Sequence, residues 1–300
     1  MNKFALFSDV RLGYTYPLRL LLFFLISFLC LLAGAICVGA VTHGGMTTLT
    51  LRIATVVQDV VVFVLPSVFI AMKVADPPAS LLAVDRWGGA RMLILAMLTI
   101  LFSIPLMNAL VAWNESITLP DSLSDLELWL KRNEESAQGS VKILLGGVSI
   151  GDLVVSMLIV SVLAAFSEEL FFRGAMQRLL ASGPLSPHAA IWLTAFIFSA
   201  FHMQFYGFFP RLLLGAYFGY LLWWTRSVWI PVIIHMVNNG IVVYAMWRGR
   251  VTEMSGGSVA DTNSNIQPDS LWWIIFSVVL TAVVIYIMHR EAVKNNLEKV

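Results

Sequence analysis

The sequence predicts an all-α fold, a polytopic membrane helical bundle of about eight transmembrane helices. Three observations carry this expectation. The 300 residues are 59% hydrophobic and only 12% charged, with a mean hydropathy of +0.82, whereas a soluble domain carries about 25% charged residues. The apolar residues are gathered into runs of about 20, the length that crosses a bilayer as a helix. Those runs lack the strict alternation of β-barrel strands. The formal charge of +1 leaves no electrostatic footprint for nucleic acid, so that partner is not expected.

The first run, Leu20 to Thr42, follows Lys3, Arg11 and Arg19. Ala33-Gly34-Ala35 resembles a signal-peptide cleavage site, but the run continues apolar beyond it, which favours an uncleaved span. Cys30 and Cys37 fall in this run. On a helix they lie about 10.5 Å apart, beyond disulfide reach, and read as packing residues. The second span runs from about Leu51 to Met72, with Gln58 and Asp59 near its start, where they are expected to be solvated or structural. A polar loop over 73–91 leads to a third span, Met92 to Trp113, interrupted by Pro105.

Residues 114–142 are polar, and Leu123, Leu126 and Leu130 recur among Asp125, Glu127, Lys131 and Glu135 as in an amphipathic surface helix. The fourth span covers about Gly151 to Leu180, and Gly183, Pro184 and Pro187 then make a turn. The fifth runs from His188 to Tyr206. The sixth, Phe209 to Thr225, carries Gly215-xxx-Gly219, a small-residue face for close helix packing. The seventh spans Val228 to Trp247, 249–270 read as an exposed loop, and Leu271 to Met288 closes the bundle with Trp272 and Trp273 as interface anchors. The chain thus divides into an N-terminal part, 1–149, a polar-motif core, 150–248, and a C-terminal loop and helix, 249–300. Lys and Arg are more numerous on the side that holds both termini, which places those termini in the cytoplasm and the protein, multi-pass, in the cell membrane.

Chemistry is concentrated on three of these helices. Ser167-Glu168-Glu169-Leu170-Phe171-Phe172-Arg173 follows fourteen residues whose only polar members are Ser156 and Ser161. An ionisable group at such depth costs roughly 2.5–3.5 kcal/mol and needs a partner or a purpose. Glu169 and Arg173 are four apart on one face and answer each other. Glu168 points about 100° away and has no such answer. His202 lies near the end of the fifth span, and His235 and Asn239 share a face of the seventh, with Asn238 as a competing assignment. Singly, each has a bland reading as a packing histidine or an interhelical asparagine. Together they offer a carboxylate and an imidazole to activate water, and a second imidazole and a carboxamide to stabilise an oxyanion. GxSxG is absent and neither cysteine is near the histidines in sequence, so a covalent nucleophile is not supported. No cofactor is expected. The alternative use of the same atoms is zinc held by Glu168, His202 and His235, although HExxH is absent.

Glu168-Glu169-xxx-Arg173, Phe198-xxx-His202 and His235-xxx-Asn239 resemble the three motifs of the CPBP family of intramembrane proteases, in order and in separation. Ser227-Val228-Trp229-Ile230-Pro231 before the last motif fits as well. The family includes CAAX prenyl endopeptidases and bacterial bacteriocin-processing or self-immunity proteins, and the resemblance covers about residues 150–245. It implies a metal-independent glutamic endopeptidase with Glu168 as base, His202 assisting, and His235 and Asn239 on the oxyanion side. Glu169 and Arg173 are the support. It implies a membrane-associated peptide or protein substrate, with the lipid bilayer as surroundings. The competing expectation is a non-enzymatic membrane partner or immunity protein using the same fold.

Overall fold

The computed structural model describes residues 11–255 and 271–297, with side chains to 294. It is all-α apart from two residues of antiparallel pairing, β1 (Arg11–Leu12) with β2 (Ala75–Asp76). The long helices are α1 (Tyr16–Thr42), α2 (Thr48–Val74), α3 (Ala90–Glu115), α4 (Ser124–Leu144), α5 (Ile150–Ala181), α6 (Pro187–Phe201), α7 (Phe208–Thr225), α8 (Trp229–Met254) and α9 (Leu271–Leu297). Among the described residues six are long and apolar enough to cross a membrane: α1, α2, α3, α5, α8 and α9. The chain is a multi-pass membrane protein. The expected count of about eight is not reached on that measure, because α6 has only 15 residues and α7 has 18 with Arg211 in its first turn.

Helix starts follow local chemistry. Thr47 and Ser149 cap α2 and α5 with full capping boxes, and Ser186 caps α6 ahead of Pro187. Inside α2 and α5 the helix widens into π turns, over Asp59–Val64, Met157–Leu163 and Leu170–Gln177. Such widened turns recur at functional sites because they re-aim the side chains around them. The exposed faces of α1 carry lipid-directed residues such as Leu21, Phe28 and Ile36, and Cys30 and Cys37 are free thiols on this helix.

Two boundaries depart from the sequence expectation. The fifth span stops at Phe201 rather than Tyr206, because Met203 turns left-handed with a φ of 54° and a 3₁₀ turn, Phe205–Gly207, follows. Ser199 Oγ donates to the Phe208 carbonyl (2.6 Å), and Asn114 holds the turn from the other side. Its Nδ2 donates to Phe205 O (3.1 Å) and its Oδ1 accepts from Phe209 N (3.0 Å). α8 continues to Met254, so residues 249–254 are helical rather than loop; the remainder of that expected loop, 256–270, lies outside the described residues. The amphipathic segment forms α4 as expected, and Lys131 holds the Glu127 carboxyl below the usual range while Glu127 also accepts from Leu119 N.

The core sits where α1, α2, α5, α6 and α7 meet, around Phe23, Phe63, Phe171, Phe172 and Phe198. A second cluster joins α3, α7, α8 and α9 through Phe218, Ile230 and Met288. α7 lies between the two.

Candidate active site

The middle of α5 crosses α6, α7 and α8 at the polar motif. Arg173 is fully buried, and its Nη1 donates to Glu169 Oε1 at 2.9 Å; Glu169 is fully buried too. Arg173 Nη2 donates to the Gly215 carbonyl at 2.9 Å. The guanidinium carbon lies 4.5 Å from the Phe198 ring centre and 5.4 Å from that of Phe218, a cation–π enclosure that suits the planar, weakly hydrated cation.

Close approach of α7 depends on its glycines. A Cβ at Gly215 would stand 3.2 Å from Arg173 Nη2 and 3.1 Å from Phe198 Cδ1. One turn on, a Cβ at Gly219 would stand 2.7 Å from Gln177 Oε1, and Gln177 Nε2 donates to the Gly219 carbonyl at 3.0 Å. The glycine pair therefore presents two carbonyls to two donors four residues apart on α5. Gln177 was not singled out in the sequence. Its signal was available: a polar residue one turn beyond Arg173 on the same face.

His235 lies between the two glutamates. Its Nδ1 is 2.9 Å from Glu169 Oε1 and its Nε2 is 3.9 Å from Glu168 Oε2. An ionised carboxylate only accepts, so Nδ1 carries a proton in that contact. The ring stacks on Phe218 at 4.9 Å between centroids. Glu169 therefore serves two donors on one oxygen, while its Oε2 is buried without a hydrogen-bond partner. Glu168 keeps partial access, with 16% of its side chain exposed.

The sequence reading paired Glu168 with His202 through a shared water; the imidazole within 3.9 Å of Glu168 is that of His235. His202 stands at the C-terminal end of α6, within electrostatic range of Glu168. Its Nδ1 is 2.9 Å from the Phe198 carbonyl. A carbonyl cannot donate, so Nδ1 carries the proton and the neutral ring presents Nε2 as an acceptor.

Asn239 is drawn into the helix contact: its Nδ2 donates to Val160 O in the first π stretch of α5 (3.2 Å). In return Ser161 Oγ donates to Met236 O on α8 (2.7 Å). Asn238 Nδ2 lies 3.4 Å from Asn239 Oδ1. Asp59, expected to be solvated or structural, is not solvated: it is 2% exposed, twelve residues into α2. Among the described residues, no group of three or more His, Cys, Asp and Glu is gathered closely enough to hold a metal ion.

Residues 150–241 match a family model described as Rce1-like, type II CAAX prenyl endopeptidase Rce1-like. This stretch is similar to the Rce1-like CAAX endopeptidases. It contains Glu168, Glu169, Arg173, His202, His235 and Asn239, and α1 to α4 and α9 lie outside it. The family connects the chain with membrane proteases in general. Searches of curated proteins and of solved structures found no match.

Proposed function

We propose that this protein is an intramembrane endopeptidase that hydrolyses a membrane-proximal peptide bond with a water activated by Glu168. The observation that carries the reading is His235 held between two carboxylates, hydrogen-bonded to the buried Glu169 and facing the accessible Glu168. In this reading Glu168 takes a proton from water as the water oxygen bonds to the peptide carbonyl carbon. His202 Nε2 accepts from the same water and orients it. Negative charge then develops on the carbonyl oxygen. His235, held by Glu169 through Nδ1, presents Nε2 to that oxygen, beside the rings of Phe198 and Phe218. The C–N bond breaks as Glu168 returns its proton to the amine nitrogen, leaving a carboxylic acid and a free amine. Arg173 pairs with Glu169 and fixes its position, and Asn239 keeps α8 in register with α5.

The test is turnover in proteoliposomes, using an internally quenched peptide with a prenylated cysteine near its C-terminus and the same peptide without the prenyl group. A general base contributes about 10²–10⁴-fold. Glu168→Gln keeps the shape and removes the base, so cleavage of whichever peptide the wild type accepts should fall by at least about 10²-fold with the thermal midpoint unchanged. Wild-type turnover in that variant, or no cleavage of either peptide by the wild type, would overturn the reading. The two peptides separate a requirement for the prenyl group from a requirement for the peptide alone.

A further inference from the structure

A cavity of about 350 Å³ lies between α3, α6, α7 and α9, and it has no part in the mechanism above. That volume is within the range of small-molecule sites. On α7 its wall includes Ala216 and Tyr217, whereas Gly215 and Phe218 meet Arg173 and His235. It is therefore a separate space from the polar motif. Its lining is almost wholly apolar, with Ile100, Leu214 and Ile285 among it. Trp192 and Leu213, 43% and 41% exposed, form its edge, so it opens sideways toward lipid. The polar groups in its wall are answered by protein, with one exception. Thr99 and Ser103 donate to the Leu95 and Ile100 carbonyls, Tyr217 donates to Ala96 O, and Tyr220 Oη is 2.9 Å from His188 Nδ1. Thr281 is 8% exposed, and its Oγ1 is buried without a hydrogen-bond partner. One unmet hydroxyl does not hold water, which needs several polar partners. Hydrocarbon from the bilayer fills such a space, and the hydroxyl asks that hydrocarbon to carry an acceptor.

The charge needed to hold such a molecule stands at the same end of the bundle. An open cleft follows the cavity along α9, lined by Arg91, His289, Arg290 and Lys294. Its one acid, Glu291, pairs with Arg91 at 3.1 Å, so positive charge remains in excess. The cavity and the cleft adjoin. Ile285 lines the first and Tyr286 the second, and the Trp224 ring of the cavity lies 6.3 Å from that of His289. Thr281 is eight residues before His289, about 12 Å along the helix. A chain in the cavity thus leads to an anionic group in the cleft.

We propose that this cavity and cleft are a binding site for one anionic phospholipid, with an acyl chain between α3, α7 and α9 and the phosphate among the basic residues at the end of α9. The acyl ester supplies the acceptor that Thr281 lacks, which a bare hydrocarbon does not. Charge complementarity selects an anionic headgroup over a zwitterionic one. The inference does not depend on the hydrolytic reading, and two of the helices it uses, α3 and α9, lie outside the Rce1-like stretch.

The experiment titrates the full chain in detergent micelles with phosphatidylglycerol, or with phosphatidylcholine of the same acyl chains, and counts bound lipid by native mass spectrometry. Wild type is expected to hold one phosphatidylglycerol, at least about tenfold more tightly than phosphatidylcholine. Arg290→Gln combined with Lys294→Gln changes two exposed positions. It should bring the two lipids within about threefold of each other while leaving phosphatidylcholine binding unchanged. Ser103→Phe fills the cavity and should weaken both lipids by at least about tenfold. If that variant does not fold, the exposed pair carries the test alone. Equal binding of the two lipids by wild type, or a preference untouched by the paired substitution, would overturn the inference. Unchanged binding in a folded Ser103→Phe protein would do the same. So would farnesol displacing phosphatidylglycerol at equal concentration from wild type, which would give the cavity to a prenyl chain instead.

Discussion

Two donors meet on one oxygen at Glu169, and most of the site's order follows from that. Arg173 and His235 both approach Oε1 at 2.9 Å, one from the same helix and one from α8. A fully buried ion pair is tolerated here because Nη2 finds the Gly215 carbonyl and the flat faces of the guanidinium find phenylalanine rings, although Nε is left without a hydrogen-bond partner. Removing one partner of such a pair leaves the other charge uncompensated, at about 3–5 kcal/mol. Arg173→Met, which keeps the stem and removes the charge, should therefore destabilise the protein by about that amount in denaturant titrations in detergent micelles. The double variant Arg173→Met with Glu169→Gln removes both charges and should recover part of the loss. No recovery would show that Arg173 acts through packing rather than charge.

At the scale of elements, α7 works as a spacer with a polar edge. Its two glycines allow approach, and their carbonyls then accept from Arg173 and Gln177. Gly219→Ala places a methyl 2.7 Å from Gln177 Oε1 and 2.9 Å from Ile191 Cγ2. Gln177 is 1% exposed, so it can move aside only by breaking its bond to Gly219. Overpacking of this kind costs about 1–3 kcal/mol, to be read from the thermal midpoint. The Gly215-xxx-Gly219 spacing was visible in the sequence as a close-packing face, and Glu169-xxx-Arg173 as a self-answering pair, because both lie within one helical turn. What each meets on another helix has no local signal.

Across the whole molecule, helices outside the Rce1-like stretch shape the site. Asn114, at the end of α3, is fully buried and holds the turn after His202 from both sides. Gln204 in that turn donates to Glu134 on α4 and accepts from Arg211 on α7. α6, at 15 residues, is about 22 Å long, short of a bilayer of about 30 Å, so a helix of this length entering from one interface ends within the apolar layer. Non-helical backbone there is tolerated only where protein or trapped water satisfies it. Asn114→Ala removes both bonds to the turn and should lower peptide turnover by about 10²-fold, the cost of an ångström of misplacement. Protease cutting within 203–207 should rise in parallel. Unchanged turnover would mean that His202 is placed by α6 alone.

By itself the sequence determined the membrane class, the order of the helices, the amphipathic surface helix, and the polar groups needing explanation. Each of these is written in composition or in a period of 3.6 residues, and both survive without knowledge of partners. Tertiary structure decided which groups meet. It set His235 3.9 Å from Glu168, engaged Asn239 with Val160, ended α6 at Phe201, and buried Asp59 to 2% exposure. The physical reason is that the rotation and depth of one helix against another are set by the packing of both. Glu168 could be recognised on its own helix as an unanswered charge; its neighbour His235 is supplied by α8, more than 60 residues further along the chain.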